Sequence, residues 1–140
     1  MELDTALDWA ANRTNGVLIT IRRDGRPQSS DIAYRVVDGQ IEISVTDGRA
    51  KTNNLKRDPR AVLHVTDPGA WSYLSIDGTV ELTPTTTDPG DATADALVEY
   101  FRAVAGKEHP DWDEYRQAMV DEGRLLIRLT PGSAVGQING

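Results

Sequence analysis

The sequence predicts a mainly β fold of the α+β type, in which antiparallel strands build a small barrel flanked by a few helices. Residues 40–46 alternate apolar and polar side chains, as expected of a half-buried strand. Asp24-Gly25 and Asp38-Gly39 each separate two consecutive strand-like runs, which favours hairpin turns. The helical stretches are few and do not alternate regularly with the strands, which argues against a parallel α/β sheet.

The hydrophobic pattern assigns each element in turn, and the length of 140 residues fits a single domain spanning 1–140. Strands are predicted at 17–21, 28–37, 40–46, 61–65, 71–82 and 124–130. Helices are predicted at 3–13, 51–57, 91–105 and 111–122. Asp77-Gly78 predicts a bend or bulge in the fifth strand, and Pro131-Gly132 is expected to end the last one.

Charge and composition argue against several classes of protein. A formal net charge of -7 opposes nucleic-acid binding, which usually needs a basic face. The chain has no cysteine, which excludes disulfides and cysteine-based metal sites. No apolar run is long enough to span a bilayer, and no signal-peptide pattern is visible. We therefore expect a cytoplasmic protein with no nucleic-acid or membrane partner.

One short segment, residues 48–60, concentrates positive charge in this acidic chain. Its five cations are Arg49, Lys51, Lys56, Arg57 and Arg60. The segment follows a predicted strand and opens a short helix, where backbone N–H groups, cationic side chains and the Asn54 amide suit a phosphate. The alternative is a solvated helix face whose cations pair with Asp47 and Asp58. On the residues alone both interpretations stand, and no P-loop pattern is present.

Two further groups of side chains are candidates for a binding site. Gln28, Ser29 and Ser30 place hydrogen-bonding groups at the start of the second strand, where they line a ring or simply face solvent. Trp71 and Tyr73 share a face of the fifth predicted strand. They form a stacking wall, an interface patch or part of the core.

No pattern of residues identifies a catalytic group or a metal site. The two histidines, His64 and His109, lie far apart in the sequence, and neither belongs to a pair at metal-ligand spacing. No Gly-x-Ser-x-Gly motif is present. We therefore predict no metal, and the catalytic residues stay unknown.

The order of segments resembles a known superfamily. It runs strand, Asp24-Gly25-Arg26-Pro27, strand, Asp38-Gly39, strand, then Gly48-Arg49-Ala50-Lys51-Thr52-Asn53-Asn54-Leu55 and Asp58-Pro59-Arg60. This order, with Trp71-Ser72-Tyr73, the stretch 111–120 and the terminal strand, resembles the pyridoxamine 5′-phosphate oxidase-like flavin and deazaflavin oxidoreductases. The chain is most similar to the actinobacterial branch that uses coenzyme F420.

The resemblance implies a split β-barrel homodimer, FMN-binding-like, with a cofactor site at the subunit interface. The implied cofactor residues are Gln28 and Ser30 near the ring, Ser44, Val45 and Thr46 beside the ring and ribityl chain, and Arg49, Lys51 and Asn54 at the phosphate. Trp71 and Tyr73 are expected to come from the facing subunit or to wall the substrate pocket. Lys56 and Arg57 are expected, from their charge, to meet a polyglutamate tail.

The implied activity is a reductase in which reduced F420 gives a hydride to an electron-poor unsaturated organic substrate. One alternative is an FMN-dependent enzyme similar to pyridoxamine-phosphate oxidase. The arginine-free ending 134–140 departs from the oxidase pattern, which has basic residues near its carboxyl end. Another alternative is a non-catalytic protein that binds F420, flavin or haem.

Overall fold

The computed structural model describes residues 1–139, which form one antiparallel sheet and four helices. The strands are β1 (Asn15–Ile21), β2 (Pro27–Ala33), β3 (Arg35–Val37), β4 (Gln40–Thr46), β5 (Arg60–Asp67), β6 (Ser72–Leu82) and β7 (Arg124–Gln137). The helices are α1 (Leu3–Ala11), α2 (Ala50–Arg57), α3 (Ala92–Ala105) and α4 (Trp112–Glu122), and a 3₁₀ turn spans Pro68–Ala70. None of these described helices is long and apolar enough to cross a membrane.

The seven strands lie in the order β2-β1-β5-β6-β7-β4-β3, and every neighbouring pair is antiparallel. The sheet curls around an apolar core. Each central strand contributes every second residue to this core. Leu18, Leu63 and Ile76 are cross-strand neighbours in this core, and all are fully buried. The predicted mainly β, split-barrel fold is confirmed.

A second, smaller core lies between α3, α4 and the sheet. Leu97 and Tyr115 from the two helices pack with Leu126 of β7, so the helices bury their apolar faces against the strand. Asp91 and Asp111 cap the two helices by accepting hydrogen bonds from backbone N–H groups three residues on. This packing fixes the side of α3 and the start of β7 that border the candidate site.

The prediction of one strand over residues 28–37 is wrong, because the chain makes two strands there. β2 pairs with β1 at one edge of the sheet, whereas β3 pairs with β4 at the other. Tyr34 lies between them with its side chain fully buried, and its hydroxyl donates a hydrogen bond to Ala10 O at 2.7 Å. The buried tyrosine thus marks the point where the chain crosses from one edge to the other.

The last strand does not end at Pro131-Gly132, as the sequence predicts. β7 continues through this pair to Gln137, and the register with β6 shifts between Asp77 and Gly78. The irregularity accommodates the proline, which has no N–H to donate to the ladder. At Gly78 a Cβ atom would lie 2.1 Å from the Thr130 carbonyl oxygen, so this close approach of two backbones requires glycine.

Candidate functional site

A cleft of about 430 Å³ lies where the end of β4 meets the start of α2, the start of β7 and one side of α3. We call it the cationic cleft. Its lining residues are Asp31, Ile32, Ala33, Ser44, Val45, Thr46, Arg49, Lys51, Tyr100 and Arg124. It therefore brings together residues that are far apart in sequence, among them five of the residues implied for the cofactor.

Three cations converge on the cationic cleft. Arg49 immediately precedes α2, Lys51 lies in its first turn, and Arg124 opens β7 opposite Thr46 of β4. Within residues 1–139, Arg49 and Lys51 form no ion pair or side-chain hydrogen bond. Burial, together with the charges of Arg49 and Arg124, holds the pKa of Lys51 below its usual value. Asp31 also lines the cleft but forms no ion pair with Arg49 or Lys51 within residues 1–139, so an anion would relieve the repulsion between these cations.

The local chain path fixes this arrangement. Gly48 has a φ of +86°, which glycine adopts readily, and it turns the chain from β4 into α2. The buried Thr52 hydroxyl then donates a hydrogen bond to Thr46 O at 2.9 Å, which fastens α2 to the end of the strand. The first turn of α2 contains no acidic residue, so the positive end of its dipole adds to the cationic field.

Five residues of the cationic cleft were not predicted from the sequence, and three of them are polar or charged: Asp31, Tyr100 and Arg124. The Tyr100 hydroxyl donates to Ala33 O at 2.8 Å, and burial raises its pKa, so it is a neutral hydrogen-bonding wall. Arg124 binds Glu122 at 2.9 Å. Its pairing with β4 spans most of the chain and leaves no local signal. Tyr100 carried a weak signal, since it lies one turn from Leu97 on the buried face of α3.

Asn54 does not line the cationic cleft, contrary to the implied phosphate role. Its side chain is buried, and its amide donates to Thr20 Oγ1 at 3.1 Å and to Gln28 Oε1 at 3.0 Å. Its carbonyl oxygen accepts a bond from Arg57 at 2.8 Å. Both donors of the Asn54 amide are therefore used inside the protein. α2 turns this residue onto β1, so Asn54 and Gln28 join the helix to the sheet.

Ser30 and Lys56 also lie outside the cationic cleft. Ser30 pairs with Leu18 and faces the same side of the sheet as that buried residue. The next residue, Asp31, lines the cleft instead. Lys56 lies near the far end of α2 and forms an ion pair with Asp47 at 2.6 Å. That hydrogen bond and charge lower the pKa of the Asp47 carboxyl.

The predicted strand start at Trp71 is wrong, because β6 begins at Ser72. Trp71 instead ends the 3₁₀ turn with a φ of 51°, and it is 84% exposed. Tyr73 lies in β6 and is 46% exposed. Neither side chain belongs to the core. The two remaining interpretations of this pair are a stacking wall of the binding site and an interface patch.

The cationic cleft continues into a longer groove on the sheet surface. A second cleft of about 550 Å³ shares Asp31, Ile32 and Ala33 with it and extends to His64 and Thr66. A third, of about 470 Å³, shares His64 and Thr66 and reaches the aromatic pair. We call this run from Asp31 to Tyr73 the sheet groove. It crosses three strand spacings from β2 to β6, which is roughly 14 Å.

The fold and this groove define a split-barrel protein with a cationic pocket of the kind that suits a phosphate group. The sequence model of one family, described as pyridoxamine 5′-phosphate oxidase, matches residues 4–135. The chain belongs to this family, whose members include flavin- or deazaflavin-dependent oxidoreductases.

Solved structures of similar proteins share the fold over nearly the whole chain. An F420 reductase is 25% identical, with 91% of this chain and 94% of the other covered and a TM-score of 0.68. A conserved hypothetical protein from Mycobacterium tuberculosis is 21% identical, with 99% and 85% covered and a TM-score of 0.77. A heme binding protein from Mycobacterium smegmatis is 22% identical, with 97% and 57% covered and a TM-score of 0.67.

Proposed function

We propose that this protein is an F420-dependent reductase of electron-poor unsaturated organic substrates. The observation that carries the proposal is the cationic cleft, where Arg49, Lys51 and Arg124 meet. Among residues 1–139, no acidic group forms an ion pair with Arg49 or Lys51. The family of oxidoreductases and the similarity to an F420 reductase support the choice of cofactor.

The residues of the groove fit an elongated cofactor that carries a phosphate. Three cations suit the phosphate, and Ser44 and Thr46 offer hydroxyl groups beside it. The sheet groove then leads away from the cations toward the aromatic pair, which leaves room for a ring system. We propose that Arg49, Lys51 and Arg124 hold the phosphate and that Ser44, Val45 and Thr46 lie along the chain that joins it to the ring.

Reduced F420, when bound, supplies a hydride to an electron-poor carbon of the substrate. The protein's part is to fix the phosphate, to align the ring along the sheet groove and to exclude water from the reacting atoms. Trp71 and Tyr73 offer an aromatic surface against which a planar substrate stacks. Lys56 and Arg57 lie at the other end of α2, where only a long anionic tail of the cofactor would meet them.

We also propose that the protein works as a homodimer whose second copy covers the sheet groove. The outer face of the sheet presents Val17, Val62 and Val135, and Val135 is 66% exposed. An apolar patch of this kind, rimmed by polar residues, is typical of an interface. Light scattering should give a dimer mass for the wild type, and Val135→Asp should shift the equilibrium toward monomer. Ala103→Asp, on the exposed side of α3, is the matched control.

The experiment that tests the proposed cofactor is a titration of the purified protein with F420, FMN and haem, followed by optical spectroscopy. We expect F420 to bind most tightly, and we expect reduced F420 to be oxidised in the presence of quinones or unsaturated lactones. Tight FMN binding without F420 binding would favour the FMN-dependent alternative. F420 binding without turnover of any acceptor would favour a carrier.

Haem is a weaker candidate, because the histidines that would have to ligate its iron already have hydrogen-bond partners. Histidine is the usual protein ligand of haem iron. His64 Nδ1 lies 2.8 Å from Ser75 Oγ, and its Nε2 lies 3.1 Å from Thr66 Oγ1, so hydroxyl groups contact both ring nitrogens. His109 Nδ1 accepts a hydrogen bond from the Asp111 N–H. At His64, iron would have to displace one of the two hydroxyl groups.

A further inference from the structure

His64 lies in the middle of the sheet groove, in a position that the cofactor assignment does not use. It lines both the second cleft, which adjoins the cationic cleft, and the third cleft, which contains Trp71 and Tyr73. It is partly exposed on β5, and its ring packs against that of Tyr73, with ring centroids 5.9 Å apart. Any ligand that extends from the cationic cleft to Trp71 must pass this imidazole.

Two hydroxyl groups hold the His64 ring in one orientation. Nδ1 is 2.8 Å from Ser75 Oγ on the neighbouring strand β6. Nε2 is 3.1 Å from Thr66 Oγ1 on β5 itself. When the ring is protonated, both nitrogens donate, and both hydroxyls can accept. Thr66 is exposed and lines the groove, whereas Ser75 does not line it, so Nε2 is the nitrogen on the open side.

We propose that His64 is the proton donor of the reduction and delivers its proton from Nε2; this rests on the proposed reductase function. The substrate gains a hydride from the reduced cofactor at one atom of its electron-poor double bond. The other atom takes the electron pair of the broken π bond and binds the proton that leaves the imidazolium. The reduced cofactor loses two electrons, the substrate gains them, and the neutral imidazole regains a proton from water.

The charged and titratable groups around His64 suit this role. The neighbouring strand β1 presents Val17, and beyond it β2 places Asp31 in the same cross-strand row. β6 contributes Tyr73 and, one row away, Asp77. These rows place carboxylates on either side of the imidazole and hold no cation. Histidine is also the side chain that ordinarily changes protonation near neutral pH.

The test compares His64→Gln with His109→Gln, which changes the only other histidine in the chain. His109 packs among Phe101, Trp112 and Tyr115 and lines none of the clefts that build the groove. His64→Asn serves as a second variant that keeps a side-chain amide near Ser75. Circular dichroism checks the fold of each variant.

The first readout is independent of activity. In the wild-type protein, NMR signals of the His64 ring should shift when F420 saturates the protein, and those of His109 should not. If F420 does not bind, the proposed function and this inference both fail. If F420 binds and the His64 signals do not move, only this inference fails.

The second readout is the rate of reduced-F420 oxidation in a single turnover with menadione, followed from pH 5 to 9. We expect the wild-type rate to fall as the imidazolium loses its proton, and His64→Gln to be slower by roughly 10²–10⁴-fold with that pH dependence removed. His109→Gln should keep the wild-type rate and profile. A wild-type rate and profile in His64→Gln would overturn the assignment, as would bound F420 that reduces no acceptor.

Discussion

The two halves of the basic segment 48–60 carry the same sign of charge but differ in what their side chains contact. At the start of α2, Arg49 and Lys51 line the cationic cleft and form no ion pair within residues 1–139. Near its end, Lys56 pairs with Asp47 at 2.6 Å. The eight-residue helix separates the two halves by roughly 12 Å.

This difference shows that cations in one short segment differ in whether the protein supplies an acidic partner, so the number of cations does not by itself locate an anion site. The two interpretations that the sequence left open each describe one half of the segment. The start of α2 suits a phosphate, whereas Lys56 and Arg60 are neutralised by Asp47 and Asp58.

The largest effect is expected from removing both cations at the start of α2. Arg49→Ala combined with Lys51→Ala should weaken F420 binding by about 3–6 kcal/mol, because a hydrogen bond to a charged group contributes about 1.5–3 kcal/mol. This corresponds to roughly 10²–10⁴-fold in Kd, measured by calorimetry or fluorescence.

The matched control for that pair changes two cations at the other end of the helix. Lys56→Ala combined with Arg60→Ala removes the same charge, but both side chains already have acidic partners. We expect a change in Kd of less than about tenfold, since neither side chain lines the cationic cleft and an exposed contact of Lys56 with an anionic tail contributes little. Equal losses in the two double variants would remove the distinction between the halves.

The third cation of the cleft should have about half that effect. Arg124→Ala removes one charge-assisted contact, which should cost about 1.5–3 kcal/mol of cofactor binding. Arg124 also pairs with Glu122, so Glu122→Gln is the control for a purely structural role. If Glu122→Gln weakens F420 binding as much as Arg124→Ala does, the arginine acts through that ion pair instead.

Asn54→Ala should lower stability more than it lowers cofactor affinity. The change leaves the buried Thr20 hydroxyl and the Gln28 side chain without a partner, which costs about 1–3 kcal/mol. Asn53→Ala, one residue earlier on the exposed side of α2, should stay within about 0.5 kcal/mol of the wild type. Urea unfolding measures both. If Asn54→Ala keeps its stability but loses F420 binding, Asn54 contacts the cofactor phosphate after all.

The smallest effect is a pH dependence of cofactor binding at alkaline pH. Because the pKa of Lys51 is held below its usual value by burial and by the neighbouring Arg49 and Arg124, it loses its proton earlier than an ordinary lysine as the pH rises. F420 affinity should then decline through that pH range. Lys51→Arg keeps its charge and should flatten the decline. An identical decline in both proteins would assign it to another group.

Much of the fold followed from local patterns. The alternation in residues 40–46 locates β4, and the two Asp-Gly pairs lie where predicted, between β1 and β2 and between β3 and β4. The break at Tyr34 did not follow, because it depends on a hydrogen bond to Ala10 of α1. The extension of β7 past Pro131 did not follow either, since a shifted register with β6 is what accommodates the proline.

The candidate site was only partly predictable for the same reason. Arg49 and Lys51 stood out because five cations lie close together in an acidic chain. Arg124 enters through a strand pairing with Thr46 that spans 78 positions, and no local pattern reports it. Asn54 has the residue type of a phosphate ligand, yet the direction in which α2 packs turns it toward β1.

The most direct test of the division between the two halves is a crystal structure of the protein with F420 bound. We predict that the cofactor phosphate lies within hydrogen-bond distance of Arg49 and Lys51, with Arg124 as its third contact. A phosphate bound at Lys56 and Arg57, with Arg49 and Lys51 facing solvent, would contradict it.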